Sequence, residues 1–263
     1  MNDLPINLNV EKIGQKHIAP YIQADTLFTF TKKIEYMSEW LSRQMLFSRY
    51  NVENIQYLRI KNINKIAFPM KCFCDINLHR LKKHVNNYGC NGLAFSKEWG
   101  MKNGVQAVQY INPSSALAQD ISTILNPIFH SSPNDAESEE LWNLKNYALH
   151  QLMFFKPYSD DEMCFTDECE WRYVPSVPDD LQQLILNEQD MRADRLNLFN
   201  EIIKQKIELA LPFKLEDIKY IIIADEVDFD VIVKTIEALK LNSTERDRLL
   251  AKMLIWDTSK EDF

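Results

Sequence analysis

Short apolar runs of β character alternate irregularly with stretches of helical periodicity, and this alternation restricts the fold more than any other feature of the sequence. The runs lie at 27–31, 66–74, 93–96, 105–111, 169–174 and 218–224. Helical spacing of apolar residues follows the first run directly, from Lys32 to Leu46. Because strands and helices follow no regular repeat, the sequence predicts an α+β fold rather than a doubly wound sheet.

Local signals between 64 and 111 predict individual elements. Pro69 predicts that the second strand begins or bulges there, since proline cannot donate a hydrogen bond to a neighbouring strand. Asn77 is predicted to cap a helix that starts at Leu78 and ends near Asn87. The run at 105–111 is predicted to be one strand.

Pro175 and Pro178 mark a change in the chain. The predicted organisation is an N-terminal arm at 1–25, an α+β core domain at 26–176 and a mostly helical C-terminal part at 177–263 that packs on the core. The core is expected to be a single globular unit of short mixed or antiparallel strands with surrounding helices.

The C-terminal part is predicted to hold one buried strand between helices. The stretch from Leu181 to Leu209 is read largely as helix, and 218–224 is the strand. A last helix is predicted from Ser243 to Leu254, with Ser243 or Thr244 as its N-cap.

Composition limits the partners and the compartment. The formal net charge of the 263 residues is -8, which disfavours direct nonspecific binding to nucleic acid, because such binding depends on Lys and Arg neutralising phosphates. No stretch has the roughly 18 apolar residues of a membrane span, and the N-terminus has no signal-peptide pattern. The five cysteines are odd in number and suit a reducing compartment. We therefore expect a cytoplasmic protein that does not enter a membrane.

Familiar catalytic motifs are absent from the sequence. It has no P-loop, no nucleophile elbow, no zinc-protease motif and no kinase loop set. Cys72 and Cys74, together with Cys164 and Cys169, leave two alternatives: a structural zinc site or buried free thiols. Free thiols are favoured and no metal is predicted, because zinc sites usually use a C-x₂₋₄-C spacing on a turn rather than C-x-C in a strand.

The central block resembles the AbiGi family of abortive phage resistance proteins. The resemblance is carried by FPMKCFCDINLHRLKKHVNNYGCNGLAFSKEWGMKNGVQAVQYIN at 68–112, by LFTFTKKIEYMSEWL at 27–41 and by EWRYVP at 170–175. It implies an antitoxin-like component of a phage-defence system, partnered with a nucleotidyltransferase-like toxin. It provides no catalytic residue.

A more distant resemblance is to ADP-ribosyltransferase-type domains of the DarT kind. It implies an NAD-binding fold in which Glu170, on a late strand, stabilises the developing positive charge of the sugar. Thr29 or Thr31 would occupy the polar position of the first strand, where a histidine is often found, and Tyr88 or Tyr110 would stack on nicotinamide.

Three functions therefore remain open from the sequence. The first is a noncatalytic regulator that binds and restrains a partner toxin. The second is an NAD-consuming transferase that uses Glu170. The third is a structural subunit of a defence complex, which differs from the first by a permanent interface and a fixed stoichiometry.

Overall fold

The computed structural model describes residues 17–20, 24–130, 139–160, 162–175 and 191–259. Most of the predicted N-terminal arm at 1–25 lies outside the described residues. The predicted helical stretch that begins at Leu181 is described only from residue 191 onward.

Helices and strands alternate along the chain as an α+β fold requires. The described helices are α1 Ile34–Arg43, α2 Leu81–Tyr88, α3 Lys97–Lys102, α4 Ala116–His130, α5 Glu139–Leu152, α6 Ala193–Lys204, α7 Glu226–Ala238, α8 Ser243–Leu250 and α9 Trp256–Ser259. The described strands are β1 Thr26–Thr31, β2 Met45–Leu46, β3 Arg49–Asn54, β4 Lys65–Cys74, β5 Asn91–Ser96, β6 Gln106–Ala107, β7 Gln109–Ile111, β8 Phe155–Pro157, β9 Glu170–Tyr173, β10 Leu211–Pro212, β11 Ile218–Ile223 and β12 Met253–Ile255.

One mixed sheet organises the molecule. Its strand order is β12-β11-β5-β1-β4-β9-β6, and β3 also pairs with β4. The β11–β12 pair is parallel, and the other pairs in this sheet are antiparallel. The predicted α+β class is confirmed.

Helices cover both faces of this sheet. Leu27, Phe95 and Ile221 pack in one cluster with α1 and α7, represented by Met37 and Ile232. Their strand neighbours Phe28, Ala94 and Ile222 point the other way, and they pack with α2 and Trp256 of α9 in a second cluster. Alternation along each strand therefore builds two separate cores.

β1 is paired unequally on its two sides. All six of its residues are in register with β5, from Thr26–Ser96 to Thr31–Asn91. Its pairing with β4 is limited to Phe28 and Cys74. Beyond Phe28 the two strands separate, and this separation creates the candidate site described below.

Pro69 does not mark the start of a strand, as the sequence suggested, because β4 runs through it. Pro69 lies opposite Tyr50 of β3, and the Tyr50 N–H donates to Oδ1 of Asn200 at 2.7 Å rather than to β4. Because the Tyr50 N–H points away from β4, Tyr50 and Pro69 form a pair that exchanges no backbone hydrogen bonds. The absent N–H of Pro69 therefore removes no hydrogen bond from this pair.

Three further predictions needed correction. The run at 105–111 forms two strands in different sheets, since β6 pairs with β9 and β7 pairs with β8. The predicted helix to Leu254 ends at Leu250, and the chain continues into β12. Its N-cap is Asn242, which forms a reciprocal capping box with Glu245 and so takes the place predicted for Ser243 or Thr244.

The predicted C-terminal part supplies strands as well as helices. β11 pairs with β5, so residues beyond 177 contribute strands to the same sheet as β1. The boundary near 176 remains a prediction. None of the helices in the described part of the chain has the length and apolar character needed to cross a membrane.

Candidate functional site

A cavity of about 840 Å³ lies where β1 and β4 separate. Residues 28–31 of β1 and 70–74 of β4 both line it. Because neighbouring residues of a strand point to opposite faces of a sheet, the cavity reaches both faces at this opening. Its volume falls in the usual range for small-molecule sites.

The first charged group of the cavity is centred on Glu170. Its Oε1 accepts a hydrogen bond from Nε of Arg172 at 2.7 Å, and its Oε2 accepts one from Nζ of Lys156 at 2.6 Å. Arg172 also donates from Nη1 to the Met153 carbonyl at 2.7 Å. Both oxygens of Glu170 therefore have cationic partners.

Two more carboxylates complete this group. Lys156 bridges to Glu168 at 2.8 Å, and the Tyr88 hydroxyl donates to the other oxygen of Glu168. Arg172 reaches Glu53 on β3 at 3.1 Å. We call Glu53, Lys156, Glu168, Glu170 and Arg172 the paired end of the cavity.

The electrostatics of the paired end hold Glu170 ionised. Burial opposes its charge, but the charges of Arg172 and Lys156 outweigh burial and set its pKa at about 2. Burial raises the pKa of Glu53, against the opposing charge of Arg172. Burial lowers the pKa of Lys156, but the negative charges of the surrounding glutamates outweigh burial and raise it above its ordinary value. The charged side chains of the paired end thus have their counter-charges within the group.

Four of the five residues proposed from the sequence line this one cavity: Thr29, Thr31, Tyr88 and Glu170. Thr31 Oγ1 is occupied locally, because it accepts from the Lys33 N–H at 3.3 Å. Tyr110 is not among the described lining residues, but its hydroxyl accepts a hydrogen bond from the Glu170 N–H at 2.8 Å. It thus fixes the backbone that carries the glutamate.

Tyr88 lies at the rim of the paired end. Its ring is 4.5 Å from that of His84, centroid to centroid, and burial lowers the pKa of His84 to about 4. Gly89 follows directly with a φ of 105°, and a β-carbon there would collide with the Thr31 carbonyl. The glycine turn therefore lets α2 end against β1, which places Tyr88 at the cavity.

The second charged group of the cavity is centred on Lys71 of β4. Cys72 and Cys74 are in register with Arg172 and Glu170, so these side chains share a face. Lys71 alternates with them and points to the other face, where its Nζ lies 3.6 Å from the centroid of the Trp40 ring. Sequence reasoning missed Lys71, although a lone lysine inside the apolar run FPMKCFC is a visible signal.

Lys71 is buried without a counter-charge. The residue is 8% exposed, and no residue in the described ranges gives its Nζ a hydrogen bond or an ion pair. Burial, reinforced by the charge of Arg49, lowers its pKa to about 7. Lys71 and Trp40, together with Tyr36, Phe47, Arg49 and Lys204 around them, are called the lysine end.

Cationic and aromatic side chains alternate at the lysine end. Arg49 and Lys204 lie over the Tyr36 ring at 5.6 and 5.9 Å, and Lys204 lies 6.0 Å from Phe47. Lys204 also pairs with Glu39 at 2.6 Å. The lysine end therefore places Lys71, Arg49 and Lys204 among aromatic rings, and Glu39 and Glu201 also line the cavity.

The cysteines of the cavity are free thiols. Burial raises the pKa of both Cys72 and Cys74, which keeps them protonated and unreactive. Within the described part of the chain, no group of three or more His, Cys, Asp or Glu side chains has the arrangement of a metal site.

The sequence model of the AbiGi family, described as "Putative abortive phage resistance protein AbiGi, antitoxin", matches residues 44–224. The chain belongs to the AbiGi family. A similar relative is the abortive phage resistance protein AbiGi of Lactococcus lactis subsp. cremoris, which is 29% identical over 244 residues, covering 82% of this chain and 98% of the relative. No solved structure matches the chain.

The AbiGi match can be placed on the cavity. Residues 44–224 include the whole paired end and Lys71. They exclude β1 and α1, which contribute Thr29, Thr31 and Trp40 to the walls. In this AbiGi protein most charged side chains of the cavity thus come from the matched segment, whereas Glu39 and a large part of the apolar wall come from residues before it.

Proposed function

We propose that this chain is the antitoxin-like regulator of an abortive-infection system and acts by binding and restraining a partner toxin. Membership of the AbiGi family, whose description includes the word antitoxin, supplies the setting. The structural observation that carries the proposal is the occupied state of Glu170, the chain's candidate catalytic carboxylate.

A transferase carboxylate must offer negative charge to a developing sugar cation. Both oxygens of Glu170 instead face Arg172 and Lys156 at 2.6 to 3.2 Å. Those two cations, which also pair with Glu168 and Glu53, offset the charge that catalysis would use, and Glu170 is only 7% exposed. This favours a binding protein over an enzyme.

The charge of the chain supports a protein partner. A net charge of -8 provides complementarity to a basic protein, and nucleic-acid-handling toxins carry such basic surfaces for phosphate binding. Complementary charge speeds association and selects the partner more than it adds affinity.

Co-expression with the product of the neighbouring gene tests the proposal. We expect the two proteins to elute together in size-exclusion chromatography with light scattering, and growth inhibition by the partner to be relieved. Raising the salt concentration should slow association, because the attraction between the partners is electrostatic. Separate elution at micromolar concentration, together with unchanged toxicity, would refute it. A complex that never dissociates on dilution would instead indicate a structural subunit.

One observation favours the alternative of an NAD-dependent transferase: Thr29, Thr31, Tyr88 and Glu170 line the same cavity. Incubation of the purified chain with labelled NAD and cell extract tests it. The regulator proposal expects no consumption of NAD and no labelled target. Turnover that is lost in Glu170→Gln, with the fold intact by circular dichroism, would favour the transferase.

A further inference from the structure

Lys71 has no structural explanation within the described residues. Removing an ammonium group from water costs several kcal/mol, and a cation–π contact such as the one with Trp40 returns only about 0.5–2 kcal/mol. A methionine would fill the same space without that cost. The retained charge therefore indicates a partner that the chain itself does not supply.

The surroundings of Lys71 select the charge of that partner. Arg49 and Lys204 line the same end of the cavity, and Arg49 lies close enough to disfavour the charge on Lys71. The carboxylate Glu39 is already paired with Lys204 and with Arg43. Glu201 also lines the cavity, on the same helix as Lys204. An anion would therefore be attracted chiefly by Lys71 and Arg49, and would relieve the repulsion between them.

The walls select the shape of that partner. Trp40, Tyr36 and Phe47 line the cavity, and Tyr36 is the ring with accessible surface, since Trp40 and Phe47 are each 6% exposed. Aromatic side chains stack readily on nucleobases, at about 1–3 kcal/mol per base. The cavity of about 840 Å³ has room for a base, a sugar and a phosphate together.

We propose that the lysine end of the cavity binds a small phosphorylated nucleoside, with its phosphate on the Lys71 ammonium and its base against the aromatic wall. Lys71 lies on the opposite face of β4 from Glu170, and Arg49 of β3, in register with Met70, reaches the lysine end through its contact with the Tyr36 ring. The site needs no catalytic group. It goes beyond the proposed toxin binding, and it gives the regulator a place to sense a small molecule.

Calorimetric titration of the isolated chain with AMP, adenosine and inorganic phosphate tests the site. We expect AMP to bind more tightly than either half of the molecule. Lys71→Met should weaken AMP binding at least tenfold. Lys214→Met should leave it unchanged, because the Lys214 side chain is 77% exposed and does not line the cavity.

Three results would overturn the proposal: no AMP binding at millimolar concentration, equal affinity of the wild type and Lys71→Met, or phosphate binding as tightly as AMP. The last would indicate an anion site without a base pocket. Failure here leaves the co-elution test untouched, since that test needs no nucleotide.

A wild-type measurement guards against a Lys71→Met protein that does not fold. A small amine-reactive reagent that can enter the cavity should modify Lys71 at neutral pH, where a larger fraction of it is unprotonated than of an ordinary lysine. We expect AMP to protect Lys71 in peptide mass spectra and adenosine to protect it less. Equal labelling of Lys71 with and without saturating AMP would contradict the proposal.

Discussion

The two ends of the cavity treat buried charge in opposite ways. At the paired end, Glu170 has Arg172 and Lys156 within 2.7 Å, and the remaining carboxylates close the network. At the lysine end, Lys71 is buried to a similar degree beside the Trp40 ring and the like charge of Arg49, and no described carboxylate pairs with it. The contrast teaches that burial of a charged side chain does not by itself indicate a binding site. A buried charge indicates a candidate binding site when no ion-pair partner within the chain accompanies it.

The two ends also differ in what they contribute to stability. A buried ion pair contributes little net stability, yet removing one member leaves the other uncompensated. An unpaired buried lysine destabilises the fold while it is charged and stops doing so when it loses its proton. Substitutions at the two ends should therefore change stability with opposite signs.

The largest effect is expected at the centre of the paired end. Arg172→Met should lower the free energy of unfolding by about 3–5 kcal/mol, because it leaves Glu170 and Glu53 without their shared cation. Denaturant unfolding at pH 7 measures this. A loss below about 1 kcal/mol would mean that water or Lys156 compensates these carboxylates, and the network would not be the closed one described.

A smaller effect of opposite sign is expected at the lysine end. Lys71→Met should raise the free energy of unfolding at pH 6 by about 1–3 kcal/mol, because it removes a buried charge. The pKa of Lys71 falls from 10.5 unfolded to about 7 folded. Above pH 7 the unfolded chain holds more protons, so the wild type gains stability as the pH rises.

The gap between wild type and Lys71→Met should therefore narrow as the pH rises above 7, by up to about 1.4 kcal/mol per pH unit. Since the gap at pH 6 is only about 1–3 kcal/mol, it should close or change sign before the unfolded pKa of 10.5 is reached. Paired denaturant curves at pH 6, 8 and 9 measure it. A gap that is constant with pH would show that Lys71 does not change its protonation on folding in this range.

A substitution of Tyr88, at the rim of the paired end, should lower the free energy of unfolding less than Arg172→Met. Tyr88→Phe removes the hydroxyl that donates to Glu168 but keeps the ring against His84. Because Lys156 still holds Glu168, the expected loss is about 1 kcal/mol, measured by thermal or denaturant unfolding. A loss as large as that of Arg172→Met would place Tyr88 inside the network rather than at its rim.

The smallest effect is expected for a pair that is not buried. The side chains of Lys214 and Glu216 are both 77% exposed, so Glu216→Ala should change the free energy of unfolding by less than about 0.5 kcal/mol. The same denaturant curves measure it. This variant is the matched control for the buried pairs, and a larger loss would undermine the contrast between buried and exposed charge.

The sequence predicted the strands whose side chains alternate or are uniformly apolar. β1 and β11 appeared close to their predicted positions, since their residues are buried on both faces of the sheet. β3 was missed because RYNVEN is polar, and its strand character comes from pairing with β4. β12 was missed because its three residues continue a helical pattern, and its partner β11 lies about thirty residues earlier along the chain.

The site was less accessible from the sequence than the fold. Thr29, Thr31, Tyr88 and Glu170 were selected by resemblance, and they do line one cavity. The partners that neutralise Glu170 were not predicted. Lys156 lies on a separate short strand. Arg172 lies two residues from Glu170 on the same face, but the sequence does not show that its side chain is buried. The register of β4 with β9 shows that Lys71 lies on the opposite face of the sheet from Glu170.

The contrast between the two ends can be measured directly by nuclear magnetic resonance. In a chain with ¹³C-labelled lysine side chains, the Lys71 signal should titrate with a midpoint near pH 7 and should vanish from the spectrum of Lys71→Met. The Lys156 signal should remain that of an ammonium group beyond the ordinary lysine pKa of 10.5. A spectrum in which no lysine titrates below about pH 9 would contradict the unpaired lysine on which the account depends.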